Sequence, residues 1–236
     1  MKIRFSASTH VGKVRKVNED SILTMPEQGI WAVSDGMGGY SAGDFASQCV
    51  VDNIAMLPSG LPPGDLIREL RTAISRAHES ILTEATNRGA GIIGATVVVL
   101  VVAEGHFAGF WAGDSRLYRL QSGSIELLTS DHSLVGALVE AGELTWDEAE
   151  RHAQSNVVTR AVGVDGALEL DKIRGEVFPG DRFLLCSDGL SKYANFSTLE
   201  RVLRSEPIET VADTLQQIAL DGGGADNISV IVIDVI

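Results

Sequence analysis

The sequence predicts an α+β fold with an antiparallel sheet or sandwich, and three features of its pattern lead to this prediction. Short apolar segments typical of strands occur in runs, and amphipathic segments typical of helices also occur in runs. No regular alternation of strand and helix is present, which disfavours a doubly wound parallel sheet. The 236 residues contain no low-complexity tract and no linker long enough to separate domains. We therefore expect a single domain over residues 1–236.

Helical spacing of apolar residues and helix-capping patterns predict five helices. They are 44–57, 65–86, a helix opened by the capping box Thr145-x-x-Glu148, a helix opened by Ser197-x-x-Glu200, and a last helix that starts near Pro207 and stops at Gly222. Eight segments are predicted as strands: 3–8, 21–24, 30–33, 95–102, 107–112, 117–120, 182–186 and 228–235. Residues 133–156, between strand regions, are predicted to form a small helical insert.

Charge and hydropathy disfavour nucleic acid and membrane as partners and favour a cytoplasmic location. The net charge of -13 disfavours a broad nucleic-acid interface, because phosphate backbones require clustered Lys and Arg. The longest apolar run, 95–103, has nine residues, which is too short to span a membrane and suits a buried strand. The first nine residues lack the apolar stretch of a signal peptide. We therefore expect a cytoplasmic protein that binds neither nucleic acid nor membrane.

Five aspartates stand beside apolar strand segments, namely Asp20, Asp35, Asp114, Asp188 and Asp226. One interpretation is that Asp and Gly favour turns, so that strands often end in this way. The other is a metal centre, because carboxylates clustered in a low dielectric repel one another and need a cation. Ligands that are all oxygen suit Mg²⁺, Mn²⁺ or Ca²⁺ rather than zinc. The absence of an EF-hand loop disfavours a Ca²⁺ sensor.

Arg15 lies five residues before Asp20. A guanidinium beside a metal cluster can hold a phosphate through two parallel hydrogen bonds. The alternative is that Arg15 belongs to a solvated basic loop.

Taken together, these residues resemble the type 2C family of metal-dependent serine/threonine protein phosphatases, and they do so in the family's order over nearly the whole chain. Eight motifs carry the resemblance: Thr9-His10-x-Gly12-x-x-Arg15-x-x-Asn18-Glu19-Asp20, Asp35-Gly36-Met37-Gly38-Gly39, Gly94-Ala95-Thr96, Gly113-Asp114-Ser115-Arg116-Leu117-Tyr118, Leu128-Thr129-Ser130-Asp131-His132-Ser133, Thr159-Arg160-Ala161-Val162-Gly163, Cys186-Ser187-Asp188-Gly189-Leu190 and Asp226-Asn227-Ile228-Ser229. The resemblance implies two antiparallel sheets packed as a sandwich and flanked by α-helices on both sides. It also implies that 133–156 is the family's variable flap.

The resemblance further implies a cleft that holds two Mn²⁺ or Mg²⁺ ions. Asp35 would bridge both ions and the Gly36 carbonyl would bind one of them. The remaining ligands would be Asp20, Asp188 and Asp226, with Glu19 in the outer shell and Asp114 joining Asp188 around a third, weaker ion. Arg15 would bind the phosphate, so that Arg15 and Asp35 are the predicted catalytic residues.

The implied reaction is hydrolysis of phosphoserine and phosphothreonine in proteins by a water that the two metals activate. The implied partners are phosphorylated proteins, namely the substrates of a cognate serine/threonine kinase and the kinase itself, in bacterial signalling. One departure concerns Met37, because many family members, mainly eukaryotic, have a His there that is proposed to protonate the leaving oxygen. Bacterial members often resemble this sequence at Met37. A metal-bound water is the preferred donor in its place, with His10 and His132 as alternatives.

Two other functions remain open at this stage. The motif Gly39-x-Ser41-x-Gly43 matches the nucleophile elbow of serine hydrolases, with Ser41 as the nucleophile. A phosphoprotein-binding regulator that keeps the fold but turns over weakly is the third hypothesis. Loss of activity on chelation of metal separates the phosphatase from the serine hydrolase.

Overall fold

The computed structural model describes residues 2–38, 42–89, 91–164 and 166–236. Within these ranges, eleven strands form two antiparallel sheets, and helices cover the outer face of each sheet. The predicted α+β sandwich, flanked by helices on both sides, is confirmed.

The first sheet has five strands, in the order β1 (Ile3–His10), β11 (Ile228–Val235), β10 (Arg182–Cys186), β7 (Arg116–Gln121) and β8 (Ser124–Leu127). The second sheet follows the order β2 (Asp20–Met25), β3 (Ile30–Met37), β5 (Val97–Ala103), β6 (His106–Ala112) and β9 (Asp171–Glu176), with the short β4 (Gly94–Ala95) paired to β3. A shared core between the sheets includes Trp31, Phe183 and Leu185, all fully buried.

Two pairs of helices cover the outer faces of the sandwich. The helices α1 (Gly43–Ala55) and α2 (Pro63–Arg88) pack on the second sheet, whereas α6 (Phe196–Ser205) and α7 (Val211–Gly222) pack on the first. Strand β5 is therefore covered on both faces, which explains why its sequence is a continuous apolar run rather than an alternating one. The remaining helices are α3 (Leu134–Glu140), α4 (Trp146–Ala149) and α5 (Asp188–Ser191).

The predicted strand 95–102 is divided between β4 and β5, and two strands, β8 and β9, have no counterpart in the sequence prediction. Each forms the edge of its sheet, and β9 reads Asp-Lys-Ile-Arg-Gly-Glu. Edge strands tolerate charged side chains because one side of the strand has no neighbouring strand. Their sequences therefore lack the apolar enrichment by which the inner strands were recognised.

The predicted starts of the first two helices, at 44 and 65, lie within two residues of α1 and α2, whereas the predicted starts of the later helices differ in outcome. The capping box at Thr145 is confirmed, since Glu148 Oε2 accepts from the Thr145 backbone N–H at 2.8 Å. Ser197 is not a cap. The cap of α6 is Asn195, whose side chain accepts from Thr198 N at 3.0 Å. The last helix begins at Val211 rather than near Pro207.

No helix in the described ranges combines the length and the apolar character needed to cross a lipid bilayer.

Candidate active site

The five aspartates come from distant parts of the chain, and the fold brings them together. Asp20 begins β2 and lies directly opposite Asp35 in the register of β2 and β3. Asp35 lies inside β3, because this strand continues to Met37 and not only to Val33 as predicted. The other three aspartates adjoin secondary structure: Asp114 follows β6, Asp188 begins α5 directly after β10, and Asp226 precedes β11.

Glycine at position 36 lets three backbone segments approach one another closely. A Cβ on Gly36 would lie 2.0 Å from the Gly43 carbonyl oxygen and 2.6 Å from the Glu19 carbonyl oxygen. The Gly36 N–H donates to that Glu19 oxygen at 3.0 Å. Burial raises the pKa of the Glu19 carboxyl, although Arg15 and a hydrogen bond from the Gly43 backbone favour its charged form. Glu19 is thus held beside the aspartate cluster by the packing of α1 against β3.

The aspartates raise one another's pKa values. Burial raises the pKa of Asp20 to about 7, with Asp188 and Asp226 adding to the shift while hydrogen bonds from two serines oppose it. Burial and the charge of Asp188 raise the pKa of Asp114 to about 8. For Asp35, burial and then the charges of all four other aspartates hold the pKa well above its usual range. The cluster is therefore unfavourable as a set of carboxylates unless positive charge is supplied.

Two cationic side chains supply part of that charge. Arg15 Nη2 lies 3.0 Å from the Asp226 carboxylate. Lys192 Nζ lies 2.5 Å from Asp188 Oδ2 and 3.8 Å from Asp226 Oδ2. Lys192 was not singled out from the sequence, and the signal that could have found it is its i,i+4 spacing from Asp188 on one helix.

The chemistry of the cluster fits a hard divalent cation. Asp20 Oδ1 and Asp188 Oδ1 are buried and have no hydrogen-bond partner among the described residues. Oxygen donors alone are what Mg²⁺ and Mn²⁺ prefer. No three Asp, Glu, His or Cys side chains within the described ranges converge into a ready-made shell. Lys192 and Arg15 engage oxygens of Asp188 and Asp226. A shell there also needs main-chain or water oxygens.

Asn227 holds the loop that carries Arg15, although its role was not recognised in the sequence. Its side chain is buried, and its Nδ2 donates to the carbonyls of Val11 at 2.9 Å and Val17 at 3.0 Å. Its Oδ1 accepts from the Glu19 N–H at 2.8 Å. One side chain thus ties both ends of the β1–β2 loop to the start of β11.

We expect Asn227→Ala to lower the free energy of unfolding by about 2–3 kcal/mol, because three backbone groups lose their hydrogen bonds to a buried side chain. Urea unfolding followed by circular dichroism measures this loss. Asn53→Ala is the matched control, since Asn53 bonds only within its own helix, and it should cost much less. An equal loss in the two variants would contradict the assigned role.

Arg116 holds segment 133–156 against Asp131, beside the aspartate cluster. Arg116 Nη2 lies 2.7 Å from Asp131 Oδ2 and 2.9 Å from Glu150 Oε1. The Arg116 guanidinium also lies 4.1 Å from the centroid of the Trp146 ring, which places a cation on an aromatic face. A small cavity between this segment and the aspartates is lined by Asp114, Asp131, Glu150, Asp188 and Lys192, among others.

His132, one of the alternative proton donors, has both ring nitrogens engaged. Its Nδ1 accepts from the Gly113 N–H at 3.1 Å, so the ring proton is on Nε2, which lies 3.2 Å from Asp171 Oδ2. Burial lowers the pKa of His132. These contacts fix the orientation of the His132 ring. His10 Nδ1 similarly accepts from the Gly12 N–H at 2.9 Å.

The serine of the alternative hydrolase hypothesis, Ser41, lies outside the described residues, as do Gly39 and Tyr40. Met37 ends β3, and its side chain approaches Gly94.

Comparison with known proteins identifies the family. The family model described as protein phosphatase 2C matches residues 10–222. A solved structure titled PppA, a key regulatory component of T6SS in Pseudomonas aeruginosa, superposes with a TM-score of 0.93 and 42% identity, covering 100% of this chain and 99% of that one. The serine/threonine protein phosphatase PstP of Mycobacterium tuberculosis is 35% identical over 239 residues, which cover 99% of this chain.

This chain spans 45% of the length of the mycobacterial relative. A solved structure of a PstP catalytic domain, in complex with two manganese ions, is 33% identical with a TM-score of 0.89 and covers 98% of this chain and 97% of that one. The match to the family model extends over most of the chain, and these relatives share its fold at identities above 30%. The chain therefore belongs to the protein phosphatase 2C family of serine/threonine phosphatases.

Proposed function

We propose that this protein hydrolyses phosphoserine and phosphothreonine in other proteins with the help of bound Mn²⁺ or Mg²⁺. The observation that carries the proposal is the cluster of five aspartates, drawn from distant parts of the chain, beside an exposed arginine. The raised pKa values of Asp20, Asp35 and Asp114 indicate a site built for added positive charge.

The proposed metal-holding groups are Asp35 and the Gly36 carbonyl together with Asp20, Asp188 and Asp226, with Glu19 in the outer shell and Asp114 joining Asp188 for a third, weaker ion. Bound divalent cations supply Lewis acidity and lower the pKa of a coordinated water. The fold contributes preorganisation, because β2, β3, β10 and β11 belong to a packed sandwich and their end positions are set by strand register.

Arg15 is the proposed phosphate-binding residue. Its side chain is 48% exposed, and Asp226 holds one edge of the guanidinium at 3.0 Å. The rest of the planar group can donate two parallel N–H bonds to phosphate oxygens. Burial lowers the pKa of Arg15, but the negative charges of Asp226, Glu19 and Asp35 together raise it by more. The net shift of the pKa is therefore upward, and the guanidinium stays charged. Arg15 thus neutralises charge that develops on the transferring group.

The proposed partners are phosphorylated proteins, namely the substrates of a cognate serine/threonine kinase and that kinase itself, in cytoplasmic signalling. The similarity to PppA, a key regulatory component of T6SS, supports a regulatory role of this kind. We also propose that residues 1–236 are one phosphatase domain and that 133–156 is its variable flap.

Phosphate release from para-nitrophenyl phosphate and a phosphothreonine peptide, with Mn²⁺, Mg²⁺ or EDTA, tests the proposal. We expect turnover with metal and its loss with EDTA, because the water that attacks phosphorus in the proposed reaction depends on the bound cations to lower its pKa. Ser41→Ala should remain active. Turnover that survives EDTA and is lost in Ser41→Ala would support the serine hydrolase. A folded protein that binds phosphopeptide without turnover under any metal would support the binding regulator.

A further inference from the structure

A groove of about 1040 Å³ runs along the outer face of the second sheet, away from the aspartate cluster. It lies between the first turns of α2 and the edge strand β9. Apolar side chains form its floor, with Phe110 and Ala108 from β6 and Ile67 from α2. Helix α2 covers β5 and β6 but leaves the side chains of β9 accessible on this face. The hydrophobic core between α2 and the second sheet is therefore open to solvent along β9.

Basic side chains line both walls of this groove. Arg71 on α2 and Lys172 and Arg174 on β9 are exposed, and Arg71 lies 5.9 Å from the centroid of the Phe110 ring. Among the described residues, none of these three cations forms an ion pair with a carboxylate. Glu176 is the one acidic side chain among the described residues that line the groove. On a chain of net charge -13, this is a basic surface with an apolar floor.

Strand β9 also has backbone groups available for pairing. It is the last strand of its sheet, and no other strand in the described ranges pairs with its outer side. Its register with β6 sets Lys172 opposite Phe110 and Arg174 opposite Ala108, so these side chains share the groove face. An extended peptide can hydrogen-bond to such an edge while its alternate side chains meet the groove.

The groove is connected to the aspartate cluster by strand β6. Phe110 lies at the groove, and Asp114 follows four residues later along the chain. At about 3.3 Å per extended residue, this separation is about 13 Å. A peptide whose phosphorylated residue is at the cluster must therefore extend about four residues or more before it enters the groove.

We propose that this groove binds an extended acidic segment of the phosphoprotein substrate, about four or more residues from the phosphorylated residue. The proposal rests on the phosphatase function proposed above. Charge complementarity selects this occupant, because acidic side chains meet Arg71, Lys172 and Arg174 while apolar ones meet the floor. A nucleic acid is disfavoured as the occupant, because its phosphates would extend beyond the groove and be repelled by the rest of the surface, which is acidic.

The test compares two phosphothreonine peptides that differ only in a run of Glu or of Gln placed four to eight residues from the phosphothreonine. For the wild-type protein with Mn²⁺, we expect a KM about tenfold lower for the Glu peptide, as three partly solvated charge pairs allow. In the variant R71Q/K172Q/R174Q the two KM values should become equal. Hydrolysis of para-nitrophenyl phosphate should be unchanged in this variant, because that substrate is too small to reach the groove.

A matched control removes three exposed cations elsewhere on the chain, in K2Q/R76Q/R201Q. This variant loses the same net charge and should keep the preference for the Glu peptide. A preference lost equally in both triple variants would overturn the groove assignment in favour of a general charge effect. Equal KM values in the wild-type protein would overturn the proposal outright.

A binding assay separates failure of the groove from failure of the phosphatase. The probe is a fluorescein-labelled Glu-rich peptide without phosphate, measured by anisotropy on the metal-free protein. We expect binding to the wild type and a loss of about tenfold in R71Q/K172Q/R174Q, whether or not the protein turns over phosphate. Absence of binding, or tighter binding of a labelled oligonucleotide, would overturn the proposal. Dimerisation of the protein that the triple variant abolishes would assign the groove to a second copy and also overturn it.

Discussion

Asp35→Asn is expected to lower kcat for para-nitrophenyl phosphate by about a thousandfold or more and at the same time to raise the melting temperature of the metal-free protein. Asp35 is buried, and burial is the main cause of its raised pKa. The charges of all four other aspartates of the cluster raise the pKa further, which is expected of a central position. Asn keeps the shape and removes the charge. The loss of a charged metal-binding group removes transition-state stabilisation.

The opposite sign for stability follows from the same electrostatics. In the metal-free protein the Asp35 carboxyl is buried among like charges, which disfavours the folded state. Replacing it with a neutral amide relieves this repulsion, as is common at sites where function opposes stability.

Steady-state kinetics with Mn²⁺ and thermal unfolding in EDTA measure the two effects on the same preparation. The control is Asp52→Asn, since Asp52 is exposed on α1 and, among the described residues, its side chain bonds only to Gln48. It should change neither quantity. A fully active Asp35→Asn protein would refute the central role, whereas a lower melting temperature without metal would refute the electrostatic account.

Lys192→Gln is expected to tighten Mn²⁺ binding by about tenfold to a hundredfold. Lys192 Nζ contacts Asp188 Oδ2 at 2.5 Å and lies 3.8 Å from Asp226 Oδ2, so its ammonium occupies the neighbourhood of two proposed metal ligands. Burial lowers the pKa of Lys192, but Asp188 and then Asp226 and Asp114 raise it more, so it remains charged. A unit charge about 4 Å from a divalent ion costs about 2 kcal/mol even at the dielectric constant of water, which corresponds to a tenfold to hundredfold change in affinity.

The same substitution should destabilise the metal-free protein and increase the stabilisation that Mn²⁺ confers. Without the lysine, Asp188 loses its nearest cation, and metal becomes its remaining partner. Calorimetric titration with Mn²⁺ gives the affinity directly, without any measurement of turnover. Lys2→Gln, at an exposed position far along the chain, serves as the charge control. Unchanged or weaker Mn²⁺ binding in Lys192→Gln would show that the lysine does not compete with metal.

Much of the fold could be predicted from the sequence because the relevant signals are local. The inner strand β5 is apolar over its whole length and β10 is apolar after its first residue, and helices such as α2 carry an apolar stripe along one side. The strands β8 and β9 could not be found in this way. Both strands pair along one side only, and an edge strand can carry polar and charged residues that an inner strand would not tolerate.

For the site, the sequence by itself determined which carboxylates are candidates, because each follows or precedes an apolar strand segment. Only the tertiary structure decided which other groups meet them. Lys192 reaches Asp188 and Asp226, and Asn227 ties down the loop of Arg15. Arg116 joins segment 133–156 to Asp131.

The basic groove likewise joins α2 to a strand about a hundred residues further along the chain. Such contacts depend on sheet order and strand register, and residues distant along the chain become neighbours only when those are set.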